Sequence, residues 1–164
     1  MIERFQALPL KRRRAALVLM ALIACTIAFI WSNSLQNPDE SMKRSNIAEE
    51  VVRPIILAIP VEQWHSGDMV TFITRKLGHF TEYFLLGAEL MLLALVLRPA
   101  FRLRWTWLLL FAGAIAALDE SLQLTSGRGA AVSDVLLDVF GALAGLMMTA
   151  LAAGLYAKGK QKRA

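Results

Sequence analysis

The sequence predicts an all-α fold, an integral membrane four-helix bundle with an extra amphipathic or interfacial helix in its first outer loop. Two observations carry this prediction. Of the 164 residues, 57% are hydrophobic and 19% are charged, whereas an ordinary soluble domain is about 45–50% apolar and about 25% charged. The charges lie in clusters between apolar runs, each close to the ~20 residues that a helix needs to cross a ~30 Å hydrocarbon core.

The composition argues against several other classes of protein. A disordered chain would lack this apolar content, and a soluble enzyme would not segregate its charges in this way. The single cysteine, Cys25, lies within an apolar run and excludes a disulfide scaffold. The net charge of +5 is compatible with nucleic-acid binding, but the excess basic residues flank apolar segments. Such placement is typical of juxtamembrane charges, so we expect no nucleic-acid partner.

Four apolar runs are the predicted transmembrane helices, at about residues 15–31, 77–97, 105–124 and 135–156. Lipid offers the backbone no hydrogen-bond partners, so each run is expected to be helical. The first run follows a basic segment, as a secretory signal does, but it is slightly long and is followed by a poor cleavage site. We therefore expect it to be retained as an anchor. The predicted divisions are a basic N-terminus, a transmembrane domain and a basic tail, at residues 1–14, 15–156 and 157–164.

The distribution of charge predicts the orientation of the bundle. Twelve of the 18 Lys and Arg residues lie before the first span, between the second and third, or after the fourth, and six lie on the opposite side. Of the 13 acids, only Glu3 lies on the basic side. By the positive-inside rule, both termini are cytoplasmic in the inner (plasma) membrane, and residues 32–75 form the one long outer loop.

A further helix is predicted within this outer loop. Apolar residues recur there at helical spacing, with charged residues expected on the opposite side: Ile47, Val51, Val52, Ile55, Ile56 and Ile59 against Glu49, Glu50 and Arg53. Pro54 interrupts the backbone hydrogen bonds of such a helix. Two placements remain open, a helix lying on the outer membrane surface and a helix packed across the top of the bundle.

Polar residues within the spans are the main functional signal. A charge at mid-membrane costs at least ~2.5–3.5 kcal/mol on insertion scales, so each one needs a reason. With the predicted orientation, three helices and one short loop bring nine polar residues to the outer face: Lys76, His79, Glu82, Asp119, Glu120, Gln123, Arg128, Asp134 and Asp138. By contrast, Glu89 is expected to be a deeper packing residue, and the GxxxG formed by Gly141 and Gly145 predicts close helix packing.

Three explanations of the polar cluster remain open. The first is a structural network of hydrogen bonds and ion pairs that ties the outer helix ends together. The second is catalysis on a lipid-linked or envelope substrate, with a carboxylate or His79 as the general acid or base. The third is a divalent-cation site formed by His79, Glu82, Asp134 and Asp138, whose side chains suit a hard or borderline ion.

The polar residues also lie in three ordered sequence blocks. They are residues 75–87 (RKLGHFTEYFLLG), residues 119–123 (DESLQ) followed by Gly127 and Arg128, and residues 134–141 (DVLLDVFG). The first block resembles the lysine–histidine–phenylalanine–glutamate–tyrosine signature of VanZ-like membrane proteins, and the others resemble its two further blocks. The resemblance extends over roughly residues 17–156, and residues 32–34 are similar to the serine-rich exit of the family's first span.

The resemblance selects the nine residues of the membrane argument and adds Tyr83. We hypothesise catalytic roles for five of them, His79, Glu82, Asp119, Glu120 and Asp138. Substrate-binding roles are assigned to Lys76, Tyr83, Gln123, Arg128 and Asp134. The family takes its name from a protein associated with teicoplanin resistance, so the resemblance implies a link to glycopeptide resistance, although members also occur widely outside resistance clusters.

Two classes of function follow from this sequence. In the first, the protein is an envelope enzyme whose partners are membrane lipids and a lipid-linked or cell-wall precursor reached from outside. In the second, it is a non-enzymatic membrane protein that binds a lipid headgroup or a partner and alters access to the cell surface. His79 against one carboxylate below an open cavity would favour the first class, and a closed, fully paired network would favour the second.

The orientation is tested by reporter fusions. Because the C-terminus is predicted to be cytoplasmic, we expect alkaline phosphatase fused after Ala164 to be inactive, and a cytoplasmic fluorescent reporter there to be active. The same reporters fused after Ala58, in the outer loop, should give the opposite result. An active phosphatase fusion after Ala164 contradicts the predicted topology.

Overall fold

The computed structural model describes residues 2–36, 38–61, 64, 66–98, 104–127, 129 and 131–162. These residues form helices and turns but no strand, so the predicted all-α fold is confirmed. In chain order the helices are α1 (Ile2–Gln6), α2 (Leu10–Ser34), α3 (Pro38–Leu57), α4 (Gly67–Leu97), α5 (Trp105–Thr125) and α6 (Val132–Gln161).

Four of these helices, α2, α4, α5 and α6, are long and apolar enough to cross a membrane. Each contains one predicted span, but α4 begins at Gly67 rather than near Leu77. Local signals account for the earlier start. Ser66 caps the helix by accepting a hydrogen bond from the Met69 backbone N–H (3.4 Å), and Asp68 lies in the first turn, where a negative charge complements the helix dipole.

Helix α4 is the centre of the bundle, and its most extensive contact is with α6. Three glycines let the two backbones touch. A Cβ atom on Gly87 of α4 would overlap the backbone of α6, and a Cβ atom on Gly141 or Gly145 of α6 would overlap the backbone of α4. The GxxxG spacing in α6 therefore serves close packing within the chain.

Apolar side chains fill the core and also cover the outside of the bundle. Those buried between the helices include Ile23, Ile30, Leu86, Leu90, Ala112, Ala116 and Leu146. Large apolar side chains on the outward surfaces remain exposed, among them Leu17, Leu110, Phe140, Met148 and Leu151. Extensive apolar exposure marks a surface that meets a partner or lipid, which agrees with four membrane-spanning helices in a multi-pass membrane protein.

Helix α3 packs on the N-terminal part of α4. The residues on its packed face differ from those that the sequence predicted. Ile56 is buried, and Glu49 accepts a hydrogen bond from Thr71 of α4 (2.8 Å), so the acid lies on the packed face rather than opposite it. Ile47, Val51 and Ile55 form an exposed apolar stripe on another face. A carboxylate can join the packed face because α4 offers it a hydroxyl partner.

The close contact between α4 and α6 is tested with two alanine substitutions on one helix. Gly145→Ala should destabilise the protein by about 1–3 kcal/mol, because the added methyl group forces the backbones apart. Gly154→Ala is the matched control, since its Cβ position has no neighbour within 4 Å from the rest of the described chain, and it should leave stability unchanged or slightly raised. The measurement is the free energy of unfolding in detergent. Equal stability of the two variants would contradict the contact.

Candidate functional site

One end of the bundle holds most of the buried polar side chains among the described residues. At this polar end, α2 and α5 terminate and α4 and α6 begin. The buried polar side chains found there are Ser34, Asp119, Glu120, Gln123 and Asp138. Three separate helices, α2, α5 and α6, thus contribute buried polar side chains to one region.

Three side chains from three helices meet at the centre of the polar end. His79 of α4, Asp119 of α5 and Asp138 of α6 each place one ligand-type nitrogen or oxygen atom within 4.8 Å of the others. The shortest recorded separation, between His79 Nδ1 and Asp138 Oδ1, is 3.4 Å. These three residues are named the triad.

Asp138 is the least satisfied member of the triad. Its side chain is completely buried, and neither carboxylate oxygen has a hydrogen-bond donor among the described residues. The hydroxyl of Tyr83, one helical turn after His79, is also completely buried and lacks a partner in the same part of the chain. Tyr83 lies within electrostatic range of Asp119 and Asp138. Buried polar atoms are nearly always paired in folded proteins, so these orphaned atoms mark the triad as a candidate ligand site.

Asp119, by contrast, is held from two sides. Ser34, at the end of α2, donates a hydrogen bond to Asp119 Oδ1 (2.5 Å). Gln123, one turn further along α5, donates to Asp119 Oδ2 (3.3 Å) and to Ser34 Oγ (3.4 Å). The Ser126 hydroxyl donates to the Ser34 carbonyl oxygen (2.9 Å) and ties the end of α2 to the end of α5. Together these contacts fix the orientation of the Asp119 carboxylate.

Two glutamates lie beside the triad, and each is positioned from a neighbouring segment. Asn33 Nδ2 donates a hydrogen bond to Glu82 Oε1 (2.8 Å). The backbone N–H of Ala131 donates to Glu120 Oε2 (3.0 Å), while Glu120 Oε1 has no partner in the described part of the chain. Both carboxyl groups are thus held in place next to the triad.

A cavity of about 190 Å³ lies beside His79 of the triad, and it is lined by Phe72, Arg75, Lys76, His79 and Asp134. Lys76 forms an ion pair with Asp134 and lies 5.2 Å from the centroid of the Phe72 ring. Arg75 is exposed and forms no ion pair with any described residue. The cavity therefore connects a free guanidinium group at the surface with the imidazole of His79.

Glu89 lies deeper on α4 and is separate from the polar end. Thr26 of α2 donates a hydrogen bond to Glu89 Oε1 (3.0 Å), and Glu89 Oε2 has no partner among the described residues. Its side chain is buried between α2 and α4, as a packing residue would be.

Two residues of the metal set predicted from the sequence have other partners in the structure. The metal set predicted from the sequence contained Glu82 and Asp134, but Glu82 is bonded to α2 and Asp134 is paired with a lysine. Asp119 takes their place beside His79 and Asp138. The spacing within each helix could not show this, because the distance between carboxylates on different helices depends on how the helices pack.

Two residues of α2 belong to the site although the sequence assigned them no role. Asn33 and Ser34 hold carboxylates of α4 and α5, respectively. The one signal that pointed to them was their position in the stretch that resembles the family's serine-rich exit. Arg128, which was predicted to bind substrate, lies outside the described residues.

Comparison with known proteins identifies a family. The sequence model of the VanZ/LLP1 family matches residues 17–153 and so includes every described residue of the polar end. No curated protein and no solved structure matches the chain.

The ion pair beside the cavity is tested by a double-mutant cycle. Lys76→Met and Asp134→Asn should each destabilise the protein, because each leaves the other residue partly buried without its partner. We expect a coupling energy of about 0.5–3 kcal/mol between them. The control cycle uses Arg53 and Glu49, whose arginine is half exposed, and it should give no more than about 0.5 kcal/mol. Equal coupling in both cycles would contradict a special role for the pair.

Proposed function

The chain belongs to the VanZ/LLP1 family, and from this premise we propose that it is an enzyme of the bacterial cell envelope. Its substrate is a lipid-linked molecule with an anionic headgroup, bound in the cavity beside His79. The observation that carries the proposal is this cavity, which leads from an unpaired arginine at the surface to His79, the member of the triad that lines it.

The residues of the cavity suit an anionic headgroup. Arg75 offers a planar guanidinium fork that matches phosphate or carboxylate oxygens, and no described acid competes for it. Lys76 adds a second positive charge, which Asp134 partly balances. Phe72 gives the cavity one apolar wall, as a site that receives a lipid-linked molecule requires.

The position of the site in the bundle suits a substrate that stays in the membrane. The polar end lies where two membrane-spanning helices terminate and two begin, so a headgroup can enter while its lipid chains remain in the bilayer. We propose that the polar end faces outside and that both termini are cytoplasmic, because twelve of the 18 basic residues lie on the opposite side. The substrate then belongs to the outer leaflet.

Carboxyl groups beside the triad are the proposed proton carriers. Glu82 is only partly buried and is oriented by Asn33, so it can exchange a proton with a bound headgroup. Glu120 keeps one oxygen without a partner among the described residues and is the second carrier. The triad beside these two glutamates is the proposed reactive centre.

One observation favours the alternative, a non-enzymatic protein whose polar end is structural. Ser34, Asp119 and Gln123 form a closed hydrogen-bond network that ties α2 to α5. Such a network stabilises helix ends without any substrate. It leaves the two Asp138 oxygens without a donor among the described residues, and the cavity, unexplained, so the enzymatic proposal accounts for more of the geometry.

The proposal predicts loss of function without loss of fold in Glu82→Gln. A glutamine retains an oxygen that can accept the hydrogen bond from Asn33, but it cannot exchange a proton as a general acid or base. We expect a strain carrying this variant to match a deletion strain in its envelope lipids and muropeptides. Thermal stability in detergent should remain at the wild-type value. Teicoplanin susceptibility is measured alongside, because the family resemblance implies a link to glycopeptide resistance.

One control variant and one further test variant make this test specific. Glu50→Gln removes an exposed carboxylate on α3 and should leave the envelope composition unchanged, whereas Arg75→Gln should reproduce the deletion by weakening headgroup binding. If Glu82→Gln and Arg75→Gln both keep wild-type envelope composition and stability, the enzymatic proposal is wrong. Loss of stability in Glu82→Gln would instead support the structural alternative.

A further inference from the structure

Two ligand atoms of the triad have the spacing of neighbours at a metal site. Zinc binds His nitrogen and Asp oxygen atoms at about 2.0–2.2 Å, which places neighbouring ligands of a tetrahedral site about 3.3–3.6 Å apart. His79 Nδ1 and Asp138 Oδ1 are separated by 3.4 Å, which fits that spacing and is longer than the usual 2.7–3.2 Å of a hydrogen bond from nitrogen. Asp119 supplies a third ligand atom within 4.8 Å of the other two.

The unpartnered atoms of the triad point to a cation independently of these distances. Asp138 is completely buried, yet both of its oxygens lack a donor among the described residues, and His79 Nδ1 lacks one as well. Buried carboxylates are normally stabilised by donors or by a metal ion. A divalent cation would balance the two aspartates and satisfy oxygen and nitrogen atoms together.

The surroundings of Asp119 are those of an oriented metal ligand. Ser34 and Gln123 donate to different oxygens of this carboxylate and hold it toward the centre of the polar end. Groups that hydrogen-bond to a ligand in this way fix its geometry and increase the affinity for the metal. Tyr83, buried and unpartnered nearby, provides a hydroxyl that can bond to water on the metal.

We propose that His79, Asp119 and Asp138 bind one divalent cation of the zinc class. Calcium and magnesium prefer six or more oxygen ligands, whereas one imidazole with two carboxylates suits a borderline transition ion. Three protein ligands leave a coordination position for water or substrate, as in catalytic zinc sites. The inference goes beyond the proposed function, because the site rests on the triad geometry whatever the substrate is.

Metal content of the purified full-length protein tests this site directly. The protein is stripped with a chelator in detergent, reloaded with Zn²⁺, desalted and analysed by mass spectrometry of its metals. We expect about one zinc ion per chain in the wild type, by the ligand count of a mononuclear site. His79→Gln and Asp138→Asn should lose this ion, and Asp68→Asn, which removes an exposed acid near the start of α4, should retain it.

Ser34→Ala adds a milder variant that keeps all three ligands. It should weaken zinc affinity by roughly 10–100-fold, because Asp119 loses a donor that orients it. Co²⁺ is the spectroscopic probe, since a tetrahedral site gives intense visible bands that the His79→Gln variant should lack. Zn²⁺ should also raise the melting temperature of the wild type, a readout that does not require either ligand variant to fold.

The outcomes separate this inference from the proposed function. A wild-type protein that retains no zinc and whose melting temperature responds to neither Zn²⁺ nor chelator would overturn the metal site. Zinc binding that is unchanged in both His79→Gln and Asp138→Asn would do the same. Stoichiometric zinc with normal envelope composition in Glu82→Gln and Arg75→Gln would establish the metal site and reject the enzymatic proposal.

Discussion

The close approach of α4 and α6 is the constraint on which the polar end depends. Gly141 follows Asp138 by three residues, and it meets the backbone of Phe80, the residue after His79. The glycine contact therefore lies directly beside the contact between imidazole and carboxylate. A larger residue at Gly141 would move the two helices apart at the point where His79 and Asp138 are 3.4 Å from each other. The packing of the two backbones therefore also sets the distance between His79 and Asp138.

Polar groups in a bilayer require hydrogen-bond or ion-pair partners, and most of those at the polar end have one. Lys76 pairs with Asp134, Asn33 holds Glu82, and a backbone N–H holds Glu120. In each of these three cases the partner comes from another segment, so the ion pair and the hydrogen bonds also hold the segments together. Asp138 departs from this rule within the described residues. The imidazole of His79 lies 3.4 Å away, but neither Asp138 oxygen accepts a hydrogen bond in that part of the chain. A buried carboxylate held so weakly is better explained by function than by stability.

Patterns within single helices were predictable from the sequence, and relations between helices were not. Apolar runs predicted the four spanning helices, and the three sequence blocks predicted which residues gather at the polar end. Neither could show that Asp119, rather than Glu82, lies beside Asp138, because that choice depends on the rotation of each helix in the bundle. Ser34 was noticed within the stretch similar to the family's serine-rich exit, but it was assigned no role because serines are common at helix ends. The charged face expected for α3 was wrong at Glu49, since its partner Thr71 lies in another helix.

The triad and its partner Ser34 come from helices that are distributed over nearly the whole sequence. Ser34 ends the first of the four membrane-spanning helices, and Asp138 lies in the second turn of the last. During synthesis the chain emerges from its N-terminus, so Ser34, His79 and Asp119 enter the membrane before their final neighbour exists. Until α6 inserts, the face of α4 that packs on α6 at Gly87 and the imidazole of His79 remain uncovered. A chain that stops before α6 therefore lacks Asp138 and cannot complete the triad.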